Sequence, residues 1–359
     1  MTPTLREKRD RLRDFLAGQW SDPGLGILEF RELSDGWSRV TYSLSVERHG
    51  KPLNLIVQVE RESGVILGSR VSQDFSILRA LENTSVPAPV PYLQESDPAI
   101  LGGPFIVVER REGNCFDMFN RKDREVLAAH WERRSDLPSA VLDAIVAVHG
   151  VPIDRFEFLP SAPGASETGA WEIERCRQVA RQIGREDDMY VSTALTWLER
   201  HKPADGCLTL VHGDYHLRNI LISGDRVTGL LDWELTRVSD PLFDIAYMCI
   251  PYLSGKFFSP GSPSALGLIP AEWLLKEYGL RSGRNIDLRG FLFWRVLATV
   301  SLLLIIATGV SAFEGGIVRD MRSGWLRFVE PVLHEDLLAL LRQPSASGER
   351  GPARKKRGR

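Results

Sequence analysis

The chain has 359 residues, of which 43% are hydrophobic and 26% charged, a composition that excludes a disordered, fibrous or membrane-embedded protein. That length exceeds the usual single-core size, so two lobes meeting at a cleft are expected. With 45 basic residues against 47 acidic ones the net charge is −2, which excludes a global field that recruits nucleic acid or an anionic membrane.

Residues 5–20 carry helical spacing, with Leu12, Phe15 and Leu16 on one face. The N-terminus is charged throughout and lacks the apolar core of a secretory signal, so a cytoplasmic location is expected. Shorter apolar alternation at 27–33, 40–46 and 53–59 reads as three antiparallel strands, the last two joined by a turn at 49–52. Val71, Phe75, Ile77, Leu78 and Leu81 suit a helix over 71–81 packed on that sheet. The proline-rich segment 86–93 fits neither a helix nor a central strand. It leads into an apolar strand that ends in charge and glycine, and the lobe connection is placed there, near 109–113. From residue 126 helices dominate, notably over 139–149 and 171–200, before a strand-rich stretch at 209–232 and further helices from 271.

The apolar stretch 291–310 reads as a buried helix, because Arg295 is costly in lipid and the uninterrupted run 296–307 is too short to cross a bilayer. Cys115, Cys176, Cys207 and Cys249 show neither CxxC nor zinc-ligand spacing and read as reduced structural thiols. Residues 348–359 combine glycine, proline and dense positive charge, the pattern of a solvated, disordered tail. The expected organisation is an N-terminal helix (1–24), a sheet lobe (25–112), a helical lobe (113–342) and a basic tail (343–359), an α+β arrangement.

The chemistry concentrates in one segment. Residues 210–222 contain His212, Asp214 and Asn219 in the spacing H-x-D-x-x-x-x-N of a kinase catalytic loop, and Asp232 follows at the end of an apolar strand. On a loop between short strands, Asp214 is placed to accept the proton of an attacking hydroxyl. Asn219 returns to the same side and offers an amide oxygen to Mg²⁺, and Asp232 adds the carboxylate that a hard cation requires. Three fixed residues arise by accident about once in twenty chains of this length, so the spacing alone is weak. The flanking apolar strands, the run Gly229-Leu230-Leu231-Asp232-Trp233-Glu234 and the later Ser239-Asp240-Pro241-Leu242-Phe243-Asp244-Ile245-Ala246 make coincidence a poor account.

These elements resemble the signature of the aminoglycoside phosphotransferase-like family, relatives of protein kinases that include choline kinases and hydroxyacyl-CoA kinases. Ser239 stands where that signature has glycine. The resemblance extends through 33–46, 83–89 and 101–113 and covers roughly residues 25–310. It implies a two-lobed protein kinase-like fold, with a small antiparallel-sheet N-lobe and a larger helical C-lobe. It also implies ATP and Mg²⁺ as cofactors and a small-molecule hydroxyl acceptor. Asp214 is then the base, Asn219 and Asp232 are the metal ligands, and His212, His216 and Asp240 support the loop. The bland alternative for each is a buried polar residue that satisfies loop backbone groups.

The turn over 33–41 resembles the one that covers ATP phosphates in that family, and Ser34, Gly36 and Ser38 are its candidate phosphate contacts, with Arg39 nearby as a cation. A simple hairpin is the competing reading. Gln58 stands where the resemblance implies a lysine or arginine, and Asp74 looks like a shortened counterpart of the helix glutamate that orients it. Either Arg61 or another cation substitutes, or nucleotide is held by metal and backbone. The adenine slot is expected beside Val108 and Arg110.

Gln58 motivates a rival reading, a catalytically weak kinase-like nucleotide-binding protein. A protein kinase is disfavoured because no A-P-E element follows Asp232. For the acceptor, arginines at 121, 124, 133, 134, 175, 177, 181 and 185 lean towards an anionic molecule such as a hydroxyacyl-CoA, whereas only the run Glu186-Asp187-Asp188 favours a cationic aminoglycoside. Neither a nucleic-acid nor a membrane partner is expected.

Overall fold

The computed structural model describes residues 4–35, 39–61, 70–256, 258, 264–318 and 321–343; the tail expected over 348–359 lies outside them. The N-terminal part runs α1 (Leu5–Gln19), β1 (Gly26–Asp35), β2 (Arg39–Arg48), β3 (Lys51–Glu60), α2 (Val71–Leu81), β4 (Pro91–Glu95), α3 (Pro98–Leu101) and β5 (Phe105–Glu109). The five strands form one antiparallel sheet in the order β1-β2-β3-β5-β4. β4 starts at Pro91 and lies at the edge, where a missing backbone donor costs nothing. His49 and Gly50 both take positive φ in the β2–β3 hairpin, as its tight turn demands.

α1 begins on a capping box between Thr4 and Glu7 and buries Leu12 and Leu16 against the sheet, with Phe15 edge-on to Phe105 at 5.4 Å. In β3 this alternation separates two environments. Leu55, Val57 and Val59 are buried on the α1 face, while Ile56 and Gln58 point to the cleft on the opposite face.

The C-terminal part is mainly helical: α4 (Arg121–Glu132), α5 (Leu137–His149), α6 (Thr168–Gln182), α7 (Met189–Arg200), then β6 (Thr209–Val211), β7 (Ile220–Ser223), β8 (Arg226–Leu230), β9 (Arg237–Ser239) and α8 (Leu242–Met248). α9 (Ala271–Ser282), α10 (Leu288–Glu314), α11 (Met321–Trp325) and α12 (Glu330–Leu341) complete it. The helix expected over 171–200 is two helices. Gly184 at φ +66 ends the first, and the Asp188 carboxylate caps the second by accepting from the Tyr190 and Val191 amides.

α10 is long and apolar enough to cross a membrane, yet 72% of its apolar window is buried, packed against α6, α7, α8, α11 and α12. It is the central helix of the C-lobe core, as the sequence implied. A small antiparallel-sheet lobe over a larger helical lobe is the α+β, two-lobed kinase-like arrangement. The connector is sewn to the C-lobe, where Asn114 and Ile222 exchange backbone hydrogen bonds of 2.9 Å. Gly113 makes that approach possible, since a Cβ there would lie 2.8 Å from Thr228 Oγ1.

Candidate active site

β6 pairs with β9 and β7 with β8, and the segment between β6 and β7 is the loop that carries His212, Asp214 and Asn219. Asp244, on α8 and fully buried, accepts the His212 and Gly213 amides at 2.8 Å each and His149 Nε2 at 3.1 Å; His149 Nδ1 in turn accepts the Tyr278 hydroxyl at 2.9 Å. Burial works against ionisation of Asp244, but the bonds from His149 and the loop amides outweigh it and hold the carboxyl below the usual range. Asp240 acts one step earlier, accepting the Cys207 amide ahead of β6 and the Leu242 amide at the start of α8. It therefore holds the strand that enters the loop, and Asp244 holds the loop itself.

His212 is fully buried and reads both sides of the loop. Its Nδ1 accepts the Asp214 amide at 3.3 Å and its Nε2 donates to the Leu231 carbonyl at 3.1 Å. Burial lowers its pKa, which keeps the neutral tautomer those two bonds require. Gly213 sits at φ +87, and a Cβ there would fall 2.4 Å from the Leu235 carbonyl oxygen, so only glycine lets the loop cross the backbone that follows Asp232.

The Asp214 carboxylate is held on both oxygens. Oδ1 accepts the Tyr247 hydroxyl at 2.7 Å and lies 3.2 Å from His216 Nε2, and Oδ2 accepts Asn219 Nδ2 at 2.7 Å. Burial raises its pKa, but His216 and Tyr247 more than compensate, and the group is held far below the ordinary carboxylate range. His216 is fixed by its other nitrogen, which accepts the Arg218 amide at 3.2 Å. With its Nδ2 committed to Asp214, the amide of Asn219 turns its oxygen away from that bond. Asp232 adopts φ +62, a left-handed conformation that aspartate tolerates better than most residues. Burial raises its carboxyl, Arg39 opposes this and the Asp214 charge adds to it.

Asp214, His216, Asn219 and Asp232 line one cleft of about 720 Å³ between the lobes, together with Arg39, Gln58, Asp74, Val108 and Arg110 from the N-lobe. Arg61 is not among the cleft-lining residues. The Ser34 side chain, Gly36 and Ser38 lie outside the described residues. In the connector, the amides expected to meet adenine are engaged within the protein at two positions: Glu109 donates to the Val90 carbonyl and Arg110 to that of Asn54. The Arg110 side chain reaches Ser43 Oγ at 3.0 Å.

Two features escaped the sequence reading: the Tyr247 hydroxyl on Asp214, and the ion pairs of Arg39, which was expected only as a cation near the phosphates. Tyr247, three residues after Asp244 on the same face of α8, is the hydroxyl on Asp214; the i, i+3 spacing from a loop-anchoring aspartate was the available signal. Arg39 is buried, ion-paired with Asp74 on α2, and its Nη2 lies 3.5 Å from Glu234 Oε2 just beyond Asp232. Burial pushes the Asp74 carboxyl up to about 6, with Arg39 opposing. The arginines thought to favour an anionic acceptor are in part spent elsewhere: Arg175, Arg177 and Arg181 on α6 pair with Glu172, Glu174 and Glu199, away from the cleft.

A sheet lobe and a helical lobe closing on such a cleft define a two-lobed, kinase-like fold. The model of the phosphotransferase enzyme family matches residues 29–283, and the chain belongs to that family. Acyl-CoA dehydrogenase family member 10 of Mus musculus is 26% identical over 290 residues, which cover 78% of this chain but only 26% of that relative, so the chain spans about a quarter of its length. A solved structure from Ralstonia eutropha JMP134, provisionally assigned as an aminoglycoside phosphotransferase, superimposes with a TM-score of 0.70 at 20% identity, covering 92% of this chain and 97% of that one. A thermostable mutant of aminoglycoside phosphotransferase APH(4)-Ia, in ternary complex with ADP and hygromycin B, matches with a TM-score of 0.55 at 14% identity over 94% of this chain and 99% of that one.

Proposed function

We propose that the protein transfers the γ-phosphoryl group of ATP to a hydroxyl on a small molecule that carries an apolar chain, with Asp214 positioning that hydroxyl. The observation that carries this reading is the Asp214 carboxylate, held by Tyr247, His216 and Asn219 on the wall of the cleft that Asp232 shares. In the reaction the acceptor oxygen forms a bond to the γ-phosphorus, the bond from that phosphorus to the bridging oxygen breaks, ADP leaves and the hydroxyl proton passes to Asp214.

The donor set fits Mg²⁺. An amide oxygen on Asn219 and a carboxylate on Asp232 are too few for a protein-only cage, and Mg²⁺ is held by one or two carboxylates together with phosphates and water. Asn219 and Asp232 would hold the ion, which would supply positive charge against the phosphate oxygens, while Asp214 stays committed to the acceptor.

Met118, Phe119, Leu253, Leu302, Ile305 and Ile306 give one end of the cleft an apolar wall, and Arg218 lies on its lining. An acceptor with an apolar chain and an anionic group, such as a hydroxyacyl-CoA, suits that wall better than a polycationic aminoglycoside. The similarity to part of an acyl-CoA dehydrogenase family member supports the same choice. The experiment is ATP consumption by the purified protein across hydroxyacyl-CoAs of graded chain length and a panel of aminoglycosides. Turnover with the acyl-CoAs alone is expected; turnover only with aminoglycosides reverses the acceptor assignment, and ADP release with no acceptor in either panel removes it.

A further inference from the structure

Gln58 stands where the resemblance implies a cation, and the structure places a buried cation, Arg39, nearby on the adjacent strand. β2 and β3 pair antiparallel with Thr41 opposite Gln58 and Arg39 opposite Glu60, so Arg39 and Gln58 are diagonal neighbours on one face of the sheet. That face looks into the cleft, since Arg39, Thr41 and Gln58 all line it. Diagonal neighbours in a sheet lie roughly 7–8 Å apart, well within the length of an arginine side chain.

Arg39 is 7% exposed, its guanidinium is ion-paired with Asp74, the α2 residue that faces the sheet, and a second carboxylate, Glu234, approaches it from the C-lobe. A buried cation is expensive unless it is paired, and Asp74 and Glu234 offset that cost at the meeting point of three elements: β2, α2 and the segment after Asp232. Gln58, one strand over, adds a neutral amide and no charge. Arg61, the other candidate, lies at the end of β3 outside the cleft lining.

We infer that Arg39 is the residue that binds the α- and β-phosphates of the nucleotide, positioned by Asp74, and that the cation has moved one strand from β3 to β2 while keeping its carboxylate partner on α2. This rests on the nucleotide-binding reading above. It also explains how Gln58 is compatible with an intact set of Asp214, Asn219 and Asp232, since the charge has been relocated and the site has not decayed. The planar fork of arginine suits two phosphate oxygens, whereas lysine acts as a point charge.

The test is a calorimetric titration of adenosine, ADP and ATP, each with Mg²⁺, into the wild-type protein, Arg39→Gln, Gln58→Arg, Arg61→Ala and the double variant Arg39→Gln/Gln58→Arg, with thermal unfolding of each. Arg39→Gln is expected to weaken ADP and ATP about tenfold or more while adenosine, which has no phosphate, binds within about twofold of wild type. The double variant, with its cation back on β3 and within reach of Asp74, is expected to recover most of the lost ADP affinity.

Equal loss of adenosine and ADP binding in Arg39→Gln overturns the inference, because Arg39 then only shapes the lobe. A larger phosphate-dependent loss in Arg61→Ala than in Arg39→Gln also overturns it. Should Arg39→Gln fail to fold, the double variant decides: a folded double variant with no preference for ADP over adenosine overturns the inference, and a retained preference supports it. A wild-type protein that binds none of the three ligands overturns the proposed function itself, a separate result.

Discussion

The Asp214 carboxylate is held ionised by three donors, which leaves room on Oδ2 for one more, so in the proposed reaction its strength as a base is low and its value lies in holding a hydroxyl in line. That suits a loose phosphoryl-transfer transition state, in which the proton leaves late. Asp214→Asn is expected to lower turnover at least about a hundredfold while MgATP affinity stays within about threefold; near-normal turnover in the purified variant ends the assignment. Tyr247→Phe removes one of the bonds to Oδ1 without removing the ring, and a fall in kcat of about tenfold with unchanged ADP affinity is expected. For Asp232 the informative variant is Asn, because it tolerates φ +62 as Asp does and deletes only the charge. ADP affinity in Asp232→Asn should no longer rise when Mg²⁺ is added; an undiminished Mg²⁺ effect, read by calorimetry, makes Asp232 structural.

Elements were legible in the sequence wherever one face is apolar and the other is not. α2 runs Val71–Leu81 as its periodicity indicated, and the three strands of the first hairpins appeared where alternation put them, each extended by residues whose alternation is polar. The stretch 171–200 misled because apolar spacing continues on both sides of Gly184, and only the glycine and the capping Asp188 mark the break. The ion pair of Arg39 was hidden for a different reason. It depends on strand register, which a linear sequence does not display, whereas His212, Asp214 and Asn219 lie on one continuous loop whose spacing is itself the signal. Gly213 tests how tightly that loop is built. Gly213→Ala forces a Cβ to within 2.4 Å of the Leu235 carbonyl oxygen at φ +87, so a loss of stability of about 1–3 kcal/mol is expected, together with loss of activity beyond what the stability change explains. Denaturant unfolding and turnover on the same preparation check it, and a variant as stable and active as wild type shows the crossing to be looser than drawn.

At the scale of the whole molecule the two lobes meet over a cleft whose ends differ in chemistry. The N-lobe end gathers Arg39, Gln58 and Asp74, while the other is walled by Leu302, Ile305 and Ile306, which belong to the central helix of the C-lobe. α10 is thus both the core of the lobe and the floor of the proposed acceptor end, and its apolar character suits both roles. Ile305 is half-buried and faces the cleft, so a larger side chain there projects into open space and not into packed core. Ile305→Trp is expected to raise KM for a long-chain hydroxyacyl acceptor about tenfold, to raise it less as the chain shortens, and to leave ADP affinity unchanged, because the proposed nucleotide site lies at the other end. The melting temperature, measured alongside, separates this from general damage. A KM that rises equally for every chain length, or that does not rise at all, places the acceptor chain somewhere other than against α10.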